Sequence, residues 1–201
     1  MKISIDINSY PDKLALLYSG GADSTLLYYL TLDALVNCSF KKSLDLILFD
    51  RYNKPVEKAV SLYNSIREEF KDTITNLRII ELEDTMPNNL RILETIKIIS
   101  DDYDAIMWAV NQYPDDTSIR PKTEYTVNFN KFKADDKLRL PFADYKKTDI
   151  IETFIKLDLM HILEQTHTCG EPGAVPCGKC FNCRERSWAF SQLSLEPNLG
   201  I

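Results

Sequence analysis

The chain has 201 residues, 24 Lys+Arg against 30 Asp+Glu, and 44% apolar positions. That length and apolar share suit one globular domain with a sizeable core, and charges interspersed among Leu, Ile, Val, Phe and Tyr exclude a disordered chain. A net charge of −6 argues against broad electrostatic adhesion to nucleic acid or an anionic membrane. The opening Met-Lys-Ile-Ser-Ile-Asp lacks the apolar run of a secretory signal, and no stretch approaches the ~20 apolar residues of a membrane span, so a cytoplasmic location is expected.

Short apolar runs alternate with helical patterns over the first half of the chain, the rhythm of a parallel α/β sheet. Residues 14–18 read as a strand ended by Ser-Gly-Gly, and 23–36 as a helix that packs through Leu26, Leu27, Leu30 and Leu35. A second strand, 44–49, precedes a helix entered by Pro55, whose missing N–H is harmless in a first turn. Val56, Ala59, Val60, Tyr63, Ile66 and Phe70 recur along it at three- and four-residue steps. A third strand is expected at 77–82 and a helix at 89–100. Residues 104–110 are apolar almost throughout, which predicts a central strand covered on both faces. Between 111 and 137 neither period holds, the mark of a long functional loop with room for one short helix. Regularity returns at 138–141 and in a helix over 147–158, where Ile150, Ile151, Phe154 and Ile155 share a face. A last short helix is expected at 184–193.

Ser19-Gly20-Gly21-Ala22-Asp23-Ser24 stands between the first strand and the first helix. Successive N–H groups there can form a nest around an anion, reinforced by the positive end of the helix dipole. Gly20 and Gly21 permit positive φ and close backbone approach, and the hydroxyls of Ser19 and Ser24 can donate to phosphate oxygens. A carboxylate beside phosphate is repulsive unless a cation intervenes, so Asp23 predicts Mg²⁺. The spacing matches neither a P-loop nor a dinucleotide fingerprint. Asp50 ends the second strand, at the sheet edge where open α/β folds bind ligands, although a solvated turn aspartate has the same appearance.

Four of the five cysteines, Cys169, Cys177, Cys180 and Cys183, cluster near the C-terminus. Four soft ligands at two- and seven-residue gaps, with Gly170, Gly173 and Gly178 among them, favour one tetrahedral Zn²⁺ in a closed structural site; an iron–sulfur cluster is the alternative. His167 is a spare ligand beside the knot. Lys179, Arg184 and Arg186 either offset the thiolate charge or reach an anionic substrate. Cys38 reads as a buried structural thiol.

The loop resembles the pyrophosphate-binding loop of the N-type ATP pyrophosphatases. In combination with the cysteine knot, with Phe49-Asp50, with Leu138-Arg-Leu-Pro-Phe142, with Lys147-x-Asp-Ile150 and with Cys177-Gly-Lys-Cys-Phe-Asn-Cys183, it resembles the 7-cyano-7-deazaguanine synthases. The resemblance implies a doubly wound parallel sheet of the adenine nucleotide alpha hydrolase type over 1–160, with a zinc-binding segment over 161–201 packed on it. It implies an ATP-dependent ligase that converts 7-carboxy-7-deazaguanine and ammonia to the nitrile, with ATP, Mg²⁺ and Zn²⁺ as cofactors. Lys147 matches a lysine that faces the phosphates in related enzymes, and Asp50 an acid near the nucleotide or metal. The partners implied are a small deazapurine acid and ammonia, with self-association into a homodimer left open. Two family motifs are altered here: Pro87-Asn88-Asn89-Leu-Arg91 stands where a Pro-Gly-Arg-Asn stretch is usual, and Tyr113-Pro-Asp115-Asp116 with Arg120 stands for the base-pocket motif. The acceptor is therefore open between a deazaguanine and another carboxylate. The rival readings are a tRNA-base-modifying ATPase of the same superfamily and a defence-related binding module.

Overall fold

Leucine- and isoleucine-rich runs build a sheet of five parallel strands among the described residues: β1 (Lys13–Tyr18), β2 (Ser43–Phe49), β3 (Thr75–Ile80), β4 (Ala105–Met107) and β5 (Leu138–Arg139). The computed structural model describes residues 3–38, 41–49, 56–73, 75–83, 86, 88–120, 136–171 and 175–196. Asp50, Pro55 and most of the loop expected at 111–137 lie outside them. Strand order is β3-β2-β1-β4-β5, with Leu16 opposite Leu46 on one side and Met107 on the other.

The pleat divides β1 between two apolar clusters. Leu14, Leu16 and Tyr18 join Leu46 and Met107 beneath helices α1 (Ala22–Val36), α2 (Val56–Glu69), α4 (Lys147–Lys156), α5 (Met160–Gln165) and α6 (Phe181–Gln192). Ala15 and Leu17 join Ile47, Ile106 and Leu138 beneath Ile96 and Ile99 of α3 (Asn88–Ile99). Helices on both faces make the sheet doubly wound, as the resemblance implied. Helix α1 is buried on nearly every side because the 3-10 turn Ile7–Ser9 and α4 enclose what β1 leaves open.

The boundaries of several elements differ from the sequence reading. β3 begins at Thr75, two residues before the apolar run, because its backbone pairs along β2 from Leu44 onward. β4 stops at Met107 rather than 110, since β5 offers it only Leu138 and Arg139 as partners. Helix α5 carries no signal of its own: Asp158, at φ 58°, breaks the helical run, and six residues then resume it. Helix α6 starts at Phe181, three residues early, with Cys180 as its N-cap. Cys38 is half-buried rather than buried; its thiol lies 3.3 Å from Asn8 Oδ1 at the edge of the core. No helix of the described residues is long and apolar enough to cross a membrane.

Candidate functional site

The chain leaves β1 toward β2 through α1 on one face of the sheet and reaches β4, on the other side of β1, through α3 on the opposite face, so the gap between the C-terminal ends of β1 and β4 is the topological switch point of the fold. Ser19 to Ser24 occupies one side of this gap, and Trp108 and Ala109, released from β4, occupy the other. Between them lies a cleft of about 150 Å³, lined also by Leu17, Lys147, His167, Thr168 and Asn182.

The loop is preorganised by its own hydroxyls. Ser19 N–H donates to Ser24 Oγ at 3.1 Å, Gly21 N–H to Ser19 Oγ at 3.3 Å, and the two hydroxyls are 3.0 Å apart. No side chain caps the start of α1, which leaves the first-turn amides of Ala22, Asp23 and Ser24 available to an anion in the cleft. The two glycines divide their tasks. Gly20 has φ +67°, and a Cβ there would stand 2.8 Å from Ala59 Cβ of α2. Gly21 is instead extended, at φ −83°, as the N-cap of α1, so positive φ is needed at the first glycine alone.

Lys147 opens α4, where a cation opposes the helix dipole. It is held there by acid partners. Its Nζ donates to both carboxylate oxygens of Asp23 and lies 3.4 Å from Glu185 Oε2, with the lysine 1% and Glu185 6% exposed. Burial acts most strongly against the Lys147 ammonium, but the two carboxylates outweigh it and hold its pKa above the ordinary lysine value. Glu185 is pushed upward, first by burial and then by the charge of Asp23, against the pull of Lys147. Lys147 thus supplies the cation that Asp23 needs, which removes the reason for inferring Mg²⁺ from repulsion alone. Asp50, the other acid expected near the nucleotide, lies outside the described residues.

The stretch leading into the cysteine segment is tied to this loop on one side and to α6 on the other. His167 N–H donates to Gly20 O at 3.0 Å. Arg186, fully buried on α6, donates to Thr166 Oγ1, Thr168 Oγ1 and Leu163 O, fixing the strand of chain that carries His167. Desolvation lowers the Arg186 pKa to about 10, which still leaves it charged near neutrality. Arg186 therefore holds the segment together and does not project toward a substrate. Arg184 reaches Ser118 O at 3.1 Å, and Lys179 is exposed.

The sulfurs of Cys169, Cys177, Cys180 and Cys183 all lie within 4.8 Å of one another, with Cys169 and Cys180 at 4.0 Å. Backbone amides of Gly170, Glu171, Cys177, Lys179 and Cys180 point at these sulfurs from 3.3–3.4 Å, an arrangement that stabilises thiolates. Zn–S bonds of about 2.3 Å place tetrahedral sulfurs roughly 3.8 Å apart. Sulfurs this close fit a single ion better than a cluster, in which each thiolate caps a separate iron. Among the described residues the group of metal-ligating side chains is these four cysteines; His167 faces the cleft instead.

The altered motifs do not converge on the cleft. Arg91 is buried and donates to Met86 O and Glu83 O, closing the turn before α3; the side chains of Asn88 and Asn89 are not described. Tyr113 packs edge-on against Phe181, Asp115 pairs with Lys146, Asp116 accepts from Ser118, and Arg120 folds back to Pro114 O. Glu185 is the functional candidate that sequence reasoning missed. Its signal was indirect: a lysine on the first turn of a helix requires acid partners, and the second of them lies far along the chain.

Comparison with known proteins accords with this geometry. The family model for queuosine biosynthesis protein QueC matches residues 102–194. A 7-cyano-7-deazaguanine synthase of Prochlorococcus marinus (strain NATL2A) is 37% identical over 60 residues, 30% of this chain and 26% of that protein. The synthase of Methanosarcina mazei is 32% identical over 63 residues, 31% of this chain and 26% of its own. The chain thus spans about a quarter of the length of the curated relatives it matches. Among solved structures, the U34-tRNA thiolase NcsA from Methanococcus maripaludis with its [4Fe-4S] cluster superposes with a TM-score of 0.56 at 15% identity, over 96% of this chain and 70% of its own. The chain is therefore similar in sequence to queuosine biosynthesis protein QueC across residues 102–194 and to 7-cyano-7-deazaguanine synthases over some 60 residues, and over 96% of its length it shares the fold of the tRNA thiolase.

Proposed function

We propose that the chain is an ATP-dependent enzyme that converts the carboxylate of 7-carboxy-7-deazaguanine, with ammonia, into the nitrile of 7-cyano-7-deazaguanine. One observation carries the reading: the family match includes Lys147, and the fold delivers that ammonium to a phosphate-type loop far earlier in the chain. A carboxylate becomes electrophilic when its oxygen attacks the α-phosphorus of ATP and pyrophosphate departs. Ammonia then attacks the acyl carbon and AMP leaves with the former carboxylate oxygen. Repetition on the amide oxygen with a second ATP removes the remaining oxygen and leaves the C≡N bond.

None of these steps requires a protein nucleophile. The uncapped amides of Ala22, Asp23 and Ser24 and the presence of Ser19, Ser24 and Lys147 in the cleft lining support a role for these groups in receiving the negative charge that grows on departing pyrophosphate. Mg²⁺ carried by the nucleotide would add Lewis-acid stabilisation of the same charge, with Asp23 as the carboxylate at hand. The cysteine knot fits Zn²⁺ in a closed structural role. Incubation with ATP, ammonia and 7-carboxy-7-deazaguanine should yield AMP, pyrophosphate, the amide and then the nitrile by mass spectrometry. ATP binding without turnover of any deazapurine acid would reject the acceptor and retain the nucleotide site.

A further inference from the structure

We infer that Glu185 is a positioning residue that holds Lys147 at the phosphate loop and makes the loop's grip on pyrophosphate depend on metal in the cysteine knot. This rests on the reading of Ser19–Ser24 as the site of the ATP phosphates.

Glu185 is on α6, two residues after Cys183, and Cys180 is the N-cap of this helix; two of the four sulfur ligands therefore set the position of its first turn. From there Glu185 meets Lys147 on α4, and Lys147 meets Asp23 on the first turn of α1. Three elements distant in sequence are joined through one ammonium. Arg186 is the parallel connection, running through Thr166 and Thr168 to the stretch whose His167 amide is bonded to Gly20 O. The phosphate loop is thus gripped from the knot side at both its glycine turn and its acid.

Two carboxylates sharing one ammonium leave a surplus negative charge beside a site meant for a polyanion. Glu185 would be counterproductive there as a charge alone. Its use is geometric: Lys147 donates to both Asp23 oxygens, and Glu185, 3.4 Å away, is a second partner that keeps the ammonium paired within the protein when it turns from Asp23 toward an incoming phosphate. When the knot loses its ion, the four sulfurs lose their common centre, the start of α6 loosens and Glu185 is no longer fixed.

The test uses the full chain with its metal content measured, titrated calorimetrically with ATP and with inorganic pyrophosphate. E185A should weaken pyrophosphate binding roughly tenfold, the scale of one charge-assisted hydrogen bond, with metal content unchanged. E185Q, whose amide oxygen still accepts from Lys147, should recover part of that loss. Stripping the metal from the native chain should weaken binding by a similar factor and should add little in E185A, since both act through one contact. If E185A does not fold, the isosteric E185Q decides by the same titration. Native affinity in these variants, tighter binding in E185Q, or independent effects of metal removal and substitution would each overturn the inference while leaving the nucleotide site standing. Failure of the metal-loaded native chain to bind either ATP or pyrophosphate would overturn the phosphate-loop reading and this inference together.

Discussion

Lys147 is fully buried at a helix start, a place where its charge is unwelcome on two counts, and it stays charged because Asp23 and Glu185 surround it. Lys147→Met should therefore abolish ATP binding and also destabilise the fold by about 3 kcal/mol, since it leaves Glu185 buried, and Asp23 half-buried, without their cation. Chemical denaturation and calorimetry on the same sample would show both effects. Sequence reasoning could place Lys147 at the site only through a resemblance, because the energetic reason for its position is contributed by residues on two other elements.

The cysteines differ in the same local way. In the metal-free chain, amide hydrogen bonds from Lys179 and Cys180 lower the Cys177 pKa to about 7, whereas burial raises that of Cys183 to about 12. Brief iodoacetamide treatment at pH 7 should therefore modify Cys177 first and Cys183 last, as read by peptide mass spectrometry. The sign for stability follows: the depressed Cys177 thiolate favours the fold above the ordinary thiol range, and that contribution fades as pH falls through about 7.

At the scale of elements, the strand–loop–helix unit from β1 to α1 was legible from composition and spacing, because an apolar run, two glycines and a serine-rich turn each have one physical reading. What the pattern could not supply was the difference between the glycines, which depends on how α2 approaches the turn. Gly20→Ala combines a left-handed φ with a clash against Ala59, so it should cost about 1–3 kcal/mol and displace the loop. Gly21→Ala places its Cβ 3.3 Å from the movable Ser19 hydroxyl and should be the milder change in a thermal melt. The end of β4 was misread for a related reason. Trp108 and Ala109 are apolar because they border the cleft and pack on the two core clusters, a demand that sequence pattern cannot separate from burial in a sheet. Cys180→Ser removes a sulfur ligand while leaving a residue able to cap α6, so loss of bound metal and a lower melting temperature should appear together and report the ligand itself.

At the scale of the whole molecule, the sheet order brings the first strand's turn, the release point of β4, the N-terminus of α4 and the cysteine segment to one edge. Parallel strands require this, since every strand delivers its C-terminal end to the same side. The parallel α/β class was readable from rhythm and the double winding from the resemblance, whereas the connection between knot and loop was not, because no local pattern reports that α6 lies against α4. Of the residues that stand in for the base-pocket motif, Tyr113 is engaged with the knot helix and Asp115 with Lys146 at the N-cap of α4.

The most direct test is a crystal structure with a non-hydrolysable ATP analogue. The β- and γ-phosphates should lie within hydrogen-bonding distance of the Ala22, Asp23 and Ser24 amides, with Lys147 Nζ turned from Asp23 toward them. Phosphates bound elsewhere on the molecule, with the turn after β1 unchanged and vacant, would contradict the account.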